Sequence, residues 1–172
     1  MNDDQEQQVQ REQAEQQVQR EQAEQQVLQD QAEQQVLQAA GDLVAAFAEE
    51  RLDDYFAAFA ADATFVFHTT DRRIESVAEY RRVRARWAAD DDFRVLKCLS
   101  SDHRVQLWED TAVFTHTVAT DVSTRAGTAT LHERETIVFR RTADGRWLAV
   151  HEHLSPAAPC PPGPTERPGP LG

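Results

Sequence analysis

The hydrophobic and polar positions divide the chain into three segments. Residues 1–38 carry few apolar side chains, whereas residues 39–155 show apolar positions first at helical and then at strand spacing. Residues 156–172 contain all seven prolines and three of the six glycines, a composition that is typical of disordered tails because it buries little surface. The pattern therefore predicts an extension at 1–38, one folded domain at 39–155 and a disordered tail at 156–172.

Four nine-residue units that begin Glu-Gln-Gln-Val fill residues 6–41. Their Gln, Glu, Ala and Leu residues favour a helix. Nine residues make about two and a half helical turns, so the valines of successive units alternate between opposite sides of the helix. One side carries Val9 and Val27, and the other carries Val18 and Val36. Because no continuous apolar stripe results, we expect a solvated helical extension, and a partner-binding or self-associating helix is the alternative.

Two helices in succession are predicted after the repeats. Apolar residues recur there at helical spacing in two sets, and Asp42 follows Gly41 as a plausible cap for the first helix. The predicted buried faces are Leu43, Val44 and Phe47 in the first helix, and Leu52, Tyr55, Phe56 and Phe59 in the second.

The rest of the domain predicts mainly strands. Residues 64–68 are aromatic and β-branched and indicate a short strand, whereas residues 75–89 have helical spacing. Four long β runs follow, separated by turn-like sequences at 109–110, 125–127 and 143–145. We therefore predict an α+β fold, in which three N-terminal helices cover a curved antiparallel sheet and leave a concave pocket between the two layers.

Composition and charge exclude several classes of protein. The net charge of −12 argues against binding of nucleic-acid phosphates, and no apolar run is long enough to span a membrane. The first residues lack the basic and apolar regions of a signal peptide, so we expect a cytoplasmic protein. The two cysteines, Cys98 and Cys160, cannot build a disulfide framework or a four-thiolate zinc site, and no cofactor fingerprint is present.

The end of the domain carries a set of residues typical of one superfamily. They are Glu135-Thr136, Val138-Phe139, Arg140-Arg141, Asp144-Gly145, Trp147 and Val150-His151-x-His153-x-Ser155, together with Phe59-x-x-Asp62-Ala63 near the first strand. With the order of elements, they make residues 40–156 resemble the nuclear transport factor 2-like superfamily. Within it, the chain is similar to the SnoaL-like branch and to the association domain of calcium/calmodulin-dependent kinase II.

This resemblance implies a cone-shaped sheet around a mostly apolar cavity, and homodimers formed through the exposed face of the sheet. It also implies a small hydrophobic ligand of carbonyl type, with isomerase, cyclase or dehydratase activity as one outcome. The alternative is a non-catalytic association module. In ketosteroid-isomerase-like members, a base stands five residues after the aspartate that Asp62 matches. Here that position is Phe67, which cannot accept a proton.

Three residues are candidates for acid/base catalysis: His68, Glu135 and His151. His68 follows Phe67 and should point to the opposite face of its strand, as a pocket base or as a hydrogen-bonded edge histidine. Glu135 shares its strand face with Ile137. If that face lines the cavity, burial raises the pKa of Glu135 unless an arginine pairs with it.

The candidate ligand-binding residues are Tyr80, Trp87, His116, Trp147 and His153. His151 and His153 are two residues apart, so they should share a face with Trp147 and Ala149. Such a pair can chelate a metal with help from His116, Glu133 or Glu135, but we expect hydrogen-bonded histidines and no metal or cofactor.

The predicted third helix carries four arginines besides its buried face of Tyr80, Val83 and Trp87. We expect these arginines to form a solvated face, and a carboxylate-binding arginine is the alternative. They are Arg81, Arg82, Arg84 and Arg86.

Overall fold

The computed structural model describes residues 3–157, with side chains from residue 7 onward. The tail predicted at 156–172, including Cys160, therefore lies almost wholly outside the described residues. The chain forms three helices, α1 (Asp3–Ala48), α2 (Leu52–Ala57) and α3 (Val77–Asp91). It also forms five strands, β1 (Phe59–Phe67), β2 (Arg94–Trp108), β3 (Thr111–Thr124), β4 (Gly127–Arg141) and β5 (Trp147–Pro156).

The five strands form one sheet in the order β1-β5-β4-β3-β2. Strands β2 to β5 pair with antiparallel neighbours through short turns, as the turn sequences predict. The turn before β5 needs Gly145, whose φ of +86° few other residues adopt. The predicted α+β fold is confirmed. One pairing departs from the antiparallel expectation, since β1 lies parallel to β5 at the sheet edge.

Helix α1 does not begin at Asp42. It runs without interruption through Gly41, and the Asp42 carboxylate accepts a hydrogen bond of 2.8 Å from Gln38 Nε2 inside the helix. The cap predicted at Asp42 is therefore wrong, because helix-favouring residues on both sides carry the helix through this position. The prediction that Phe59 belongs to the second helix is also wrong, although Phe59 is buried as predicted. Helix α2 ends at Ala57, and Phe59 is the first residue of β1.

The valines of the repeats differ in their environment. Val9, Val18 and Val27 are 47%, 50% and 53% exposed, whereas Val36 is fully buried in the core. The folded core therefore begins inside the fourth repeat unit. None of the helices within residues 3–157 is both long and apolar enough to cross a membrane.

The core lies between the helices and one face of the sheet, here called the inner face. Helix α3 begins at Ser76, whose Oγ accepts a hydrogen bond from the Glu79 amide, and it buries Tyr80 and Val83. The Tyr80 ring packs against several aromatic rings of α2 and β1, which joins α3 to the sheet. The predicted buried face of this helix is confirmed for Tyr80 and Val83, whereas Trp87 is half-buried.

A β-bulge in β5 changes which side chains enter the core. Val138 of β4 pairs with His151 and Phe139 pairs with Ala149, so Val150 is an extra residue. Trp147 and Ala149 therefore lie on the inner face together with Glu152. His151 and His153 lie on the opposite, outer face. The expectation that these histidines share a face with Trp147 and Ala149 is wrong, because it assumed unbroken alternation.

A second bulge, in β2, changes the direction of His103. Ser101 pairs with Thr117 and Arg104 with Thr115, which leaves one extra residue between them. Asp102 has φ of +54° at this point. As a result, His103 lies on the same side of the strand as Ser100.

Candidate functional site

A cavity of about 260 Å³ lies between α1, α3 and the inner face of the sheet. Most of its wall is apolar and aromatic, as is usual for small-molecule sites. Three of the residues predicted for the site, Tyr80, Trp87 and Glu135, line it. The apolar lining includes Leu43, Phe47, Phe67, Phe93, Val118 and Leu131, and the polar lining includes Tyr55, Arg84, Cys98, Thr120, Glu133 and Glu152.

Two carboxyl groups lie together in this cavity, from Glu135 of β4 and Glu152 of β5. Both side chains are buried. Burial raises the pKa of Glu135 to about 7. The charge of Glu133 adds to this rise, whereas a hydrogen bond with Glu152 opposes it. Burial and the charge of Glu135 raise the pKa of Glu152 well above its ordinary value. At neutral pH the pair therefore holds at least one proton, with Glu152 as the protonated partner.

Tyrosine hydroxyl groups complete this polar end of the cavity. The Tyr55 hydroxyl donates a hydrogen bond of 3.0 Å to Glu152 Oε2. Burial raises the pKa values of Tyr55 and Tyr80 well above the ordinary value, so both remain neutral donors. The cavity thus combines a carboxylate that can accept a proton with neutral groups that can donate hydrogen bonds.

His68 lies beyond the end of β1 and is partly exposed. Its Nε2 is 2.5 Å from Oε1 of Glu133, which lines the cavity. His68 is therefore hydrogen-bonded to a residue of the cavity wall. It does not line the cavity itself.

His116 lies on the inner face next to Glu135, although it does not line the cavity. Its Nε2 is 2.6 Å from Glu135 Oε2, but the two groups are not aligned for a hydrogen bond. Its Nδ1 is 2.6 Å from Ser100 Oγ. Burial lowers the pKa of His116 to about 4, so the imidazole is neutral near pH 7.

Arg84 departs from the solvated face predicted for the arginines of α3. Its side chain is buried, with Nη2 2.5 Å from Glu50 Oε1 and Nη1 donating to the Phe93 carbonyl at 3.2 Å. The guanidinium group also lies over the Phe93 ring. Arg84 therefore binds a carboxylate of the protein itself, while Arg81, Arg82 and Arg86 are exposed.

The remaining predicted site residues lie away from the cavity. His151 Nδ1 is 2.8 Å from Thr64 Oγ1 on the outer face, and His153 is exposed. Trp147 is buried on the inner face but outside the cavity, and its Nε1 has no hydrogen-bond partner within residues 7–157. The described side chains include no group of three metal-ligating residues. In particular, His151 and His116 project from opposite faces of the sheet.

Glu152 and Tyr55 are two polar cavity residues that the sequence does not identify as site residues. Tyr55 was predicted only as a core residue, because its helical spacing does not reveal where its hydroxyl group points. Glu152 stands between His151 and His153, and unbroken alternation places it on the face opposite to Trp147 and Ala149. Locating Glu152 in the cavity requires the bulge at Val150, which no residue type in the strand signals.

The chain has the α+β fold of solved nuclear transport factor 2-like structures. The sequence profile of the SnoaL-like domain matches residues 36–159, so the chain belongs to this family. No curated protein matches the chain.

Several solved structures share the fold. A nuclear transport factor 2-like protein of unknown function in nutrient uptake from Rhodospirillum rubrum is 23% identical, with a TM-score of 0.61 over 72% of this chain and 98% of that chain. A candidate dehydratase of the same class from Streptomyces avermitilis is 20% identical, with a TM-score of 0.59 over 76% and 99%. A candidate calcium/calmodulin-dependent protein kinase II association domain from Xanthomonas campestris is 18% identical, with a TM-score of 0.59 over 71% and 85%.

Proposed function

We propose that this chain binds a small, mostly apolar carbonyl compound in the cavity, and that Glu135 transfers a proton to or from it. The observation that carries the proposal is the buried Glu135 carboxyl group beside the protonated Glu152 in an otherwise apolar cavity. A pKa of about 7 suits a group that accepts and returns protons at neutral pH.

The expected reaction is removal of a proton from the carbon next to the carbonyl group. Glu135 accepts the proton, and negative charge develops on the carbonyl oxygen. Protonated Glu152 and the Tyr80 hydroxyl group line the same cavity and can stabilise that charge by donating hydrogen bonds. Isomerisation, cyclisation and dehydration all contain such a step, and the neighbour described as a candidate dehydratase supports this class.

The reaction can be tested with a probe that needs no knowledge of the natural substrate. We suggest 2-acetylnaphthalene in D₂O, with replacement of its methyl protons by deuterium followed by proton NMR. The protein should accelerate this exchange, and Glu135→Gln should lower the acceleration by about a hundredfold or more. Equal acceleration by the wild type and Glu135→Gln would contradict the proposed role of Glu135.

Binding can be separated from chemistry with two tryptophan variants. Leu131→Trp should fill the cavity and abolish binding of the probe, because Leu131 lines it. Leu99→Trp is the matched control, since Leu99 lies on the outer face and is 55% exposed. If both variants bind the probe as the wild type does, the ligand site is not this cavity.

Self-association through the sheet is a second candidate function. It is supported by large apolar side chains on the exposed side of the edge strand β2, where Leu99 is 55% and Trp108 is 56% exposed. Native mass spectrometry of Leu99→Glu should show loss of a homodimer. Leu28→Glu is the control, because Leu28 is also an exposed leucine but lies in the extension. A monomeric wild-type protein would contradict this function.

A further inference from the structure

A row of proton-carrying side chains leads from the exposed bulge in β2 to the cavity carboxylate. His103 Nε2 is 2.7 Å from Ser100 Oγ, and the same oxygen is 2.6 Å from His116 Nδ1. On the other side of its ring, His116 Nε2 is 2.6 Å from Glu135 Oε2. His103 is exposed, whereas the His116 side chain is completely buried.

We propose that His103, Ser100 and His116 form a proton path that connects solvent with Glu135. The inference rests on the proposed acid/base function of Glu135 in the cavity. Such a path allows Glu135 to exchange its proton while a ligand occupies the cavity and excludes water from that side.

Each transfer in the path has a donor and an acceptor within 2.7 Å, and the last one needs the Glu135 carboxyl group to turn until it is aligned with His116 Nε2. A proton moves from His103 Nε2 to Ser100 Oγ, the hydroxyl proton moves to His116 Nδ1, and the proton on His116 Nε2 moves to Glu135 Oε2. Ser100 and His116 end with the number of protons they had at the start, and His103 regains a proton from water. The reverse sequence releases a proton from Glu135 to solvent.

The local structure holds these groups in position. The bulge at Asp102 turns His103 toward Ser100, and the Phe114 ring packs against both imidazole rings, with centroid distances of 5.6 Å to His103 and 4.6 Å to His116. Among the described residues, His116 Nε2 has no aligned hydrogen-bond partner. Glu135 Oε2, at 2.6 Å, is the carboxylate oxygen that can accept from Nε2 once the two groups are aligned.

The path predicts a specific exchange behaviour for the buried Nε2 proton of His116. A neutral imidazole loses this proton readily only after its other nitrogen has gained one, and His116 Nδ1 faces the Ser100 hydroxyl group. Ser100→Ala should therefore slow exchange of the Nε2 proton with water by about tenfold or more. The rate can be measured by NMR on the full chain with ¹⁵N-labelled histidine and no ligand.

Two matched variants separate proton transfer from packing. Ser100→Thr keeps a hydroxyl group and should retain rapid exchange, and Ser101→Ala alters the exposed neighbour on the other face of β2. Unchanged exchange in Ser100→Ala would overturn the path, and so would equal slowing in all three variants. Because no ligand is used, failure here is distinct from failure of 2-acetylnaphthalene to bind or react.

Discussion

The hydroxyl group of Tyr55 donates a hydrogen bond of 3.0 Å to Oε2 of Glu152, and so connects α2 to the last strand inside the cavity. Both groups are buried. A buried carboxyl group without a partner is costly, so this bond helps to keep Glu152 on the inner face of the sheet. The contact therefore matters both for the fold and for the proposed site.

Tyr55→Phe should lower the free energy of unfolding by about 1–2 kcal/mol, because it leaves Glu152 without its hydroxyl donor while keeping the aromatic ring. Urea denaturation followed by circular dichroism measures the change. In Tyr55→Phe/Glu152→Leu, the phenylalanine substitution should have a much smaller effect, since the acceptor is gone. Equal effects in both backgrounds would show that the hydrogen bond does not contribute.

Glu135→Gln should reduce the dependence of stability on pH. The folded-state pKa of Glu135, about 7, lies above its ordinary value of 4.5. The protonated Glu135 therefore stabilises the folded state at low pH. This stabilisation, on the order of 3 kcal/mol, is lost as pH rises from the ordinary pKa through 7. Denaturation in urea at pH 5 and pH 8 should show a larger loss of stability in the wild type than in Glu135→Gln.

The difference between the two proteins reports Glu135 together with its effect on Glu152, whose pKa the Glu135 charge also raises, and cancels the contributions of groups that do not contact the pair. His116 has a lowered folded-state pKa, so its contribution is present above its ordinary pKa of 6.5 and is lost as pH falls toward 4. Asp62→Asn, which removes an exposed carboxyl group, is the matched control. Parallel curves for the wild type and Glu135→Gln would contradict a raised pKa.

Regular periodicity made much of the fold predictable. The alternation in β4 placed Glu135 on the same face as Ile137, and that face proved to line the core and cavity. The helical spacing of Tyr80 and Trp87 likewise located one cavity wall. These predictions succeeded because no irregularity interrupts the relevant stretches of strand and helix.

The predictions failed where local geometry departs from regularity. One extra residue at Val150 exchanged the faces of β5, moving His151 out and Glu152 in. The parallel pairing of β1 with β5 joins segments far apart in sequence, and no local pattern specifies it. Burial of Arg84 similarly depends on Glu50, which lies in a different element and has no sequence signal linking the two.

Arg84→Met should destabilise the domain by about 2 kcal/mol, because it removes the buried partner of an ion pair and leaves the Glu50 carboxylate, 30% exposed, without its charged donor. Glu50 Oε1 would keep its hydrogen bond of 2.9 Å from the Val95 amide. Thermal and urea denaturation measure the loss. Arg82→Met, an exposed arginine on the same helix, should change stability by less than about 0.5 kcal/mol. Similar effects of the two substitutions would argue against a stabilising role of the Arg84–Glu50 pair.

Val36→Ala should lower the free energy of unfolding by about 2 kcal/mol, whereas Val27→Ala should change it little. The two valines occupy the same position in successive repeat units, so the intrinsic helix preference changes equally in both variants. Val36 is fully buried in the core, but Val27 is 53% exposed. The difference between the losses of unfolding free energy in the two variants, measured by urea denaturation, therefore reports the tertiary packing of Val36. Equal losses would mean that the core does not reach the fourth unit, and that α1 is stabilised along its length by something other than the domain.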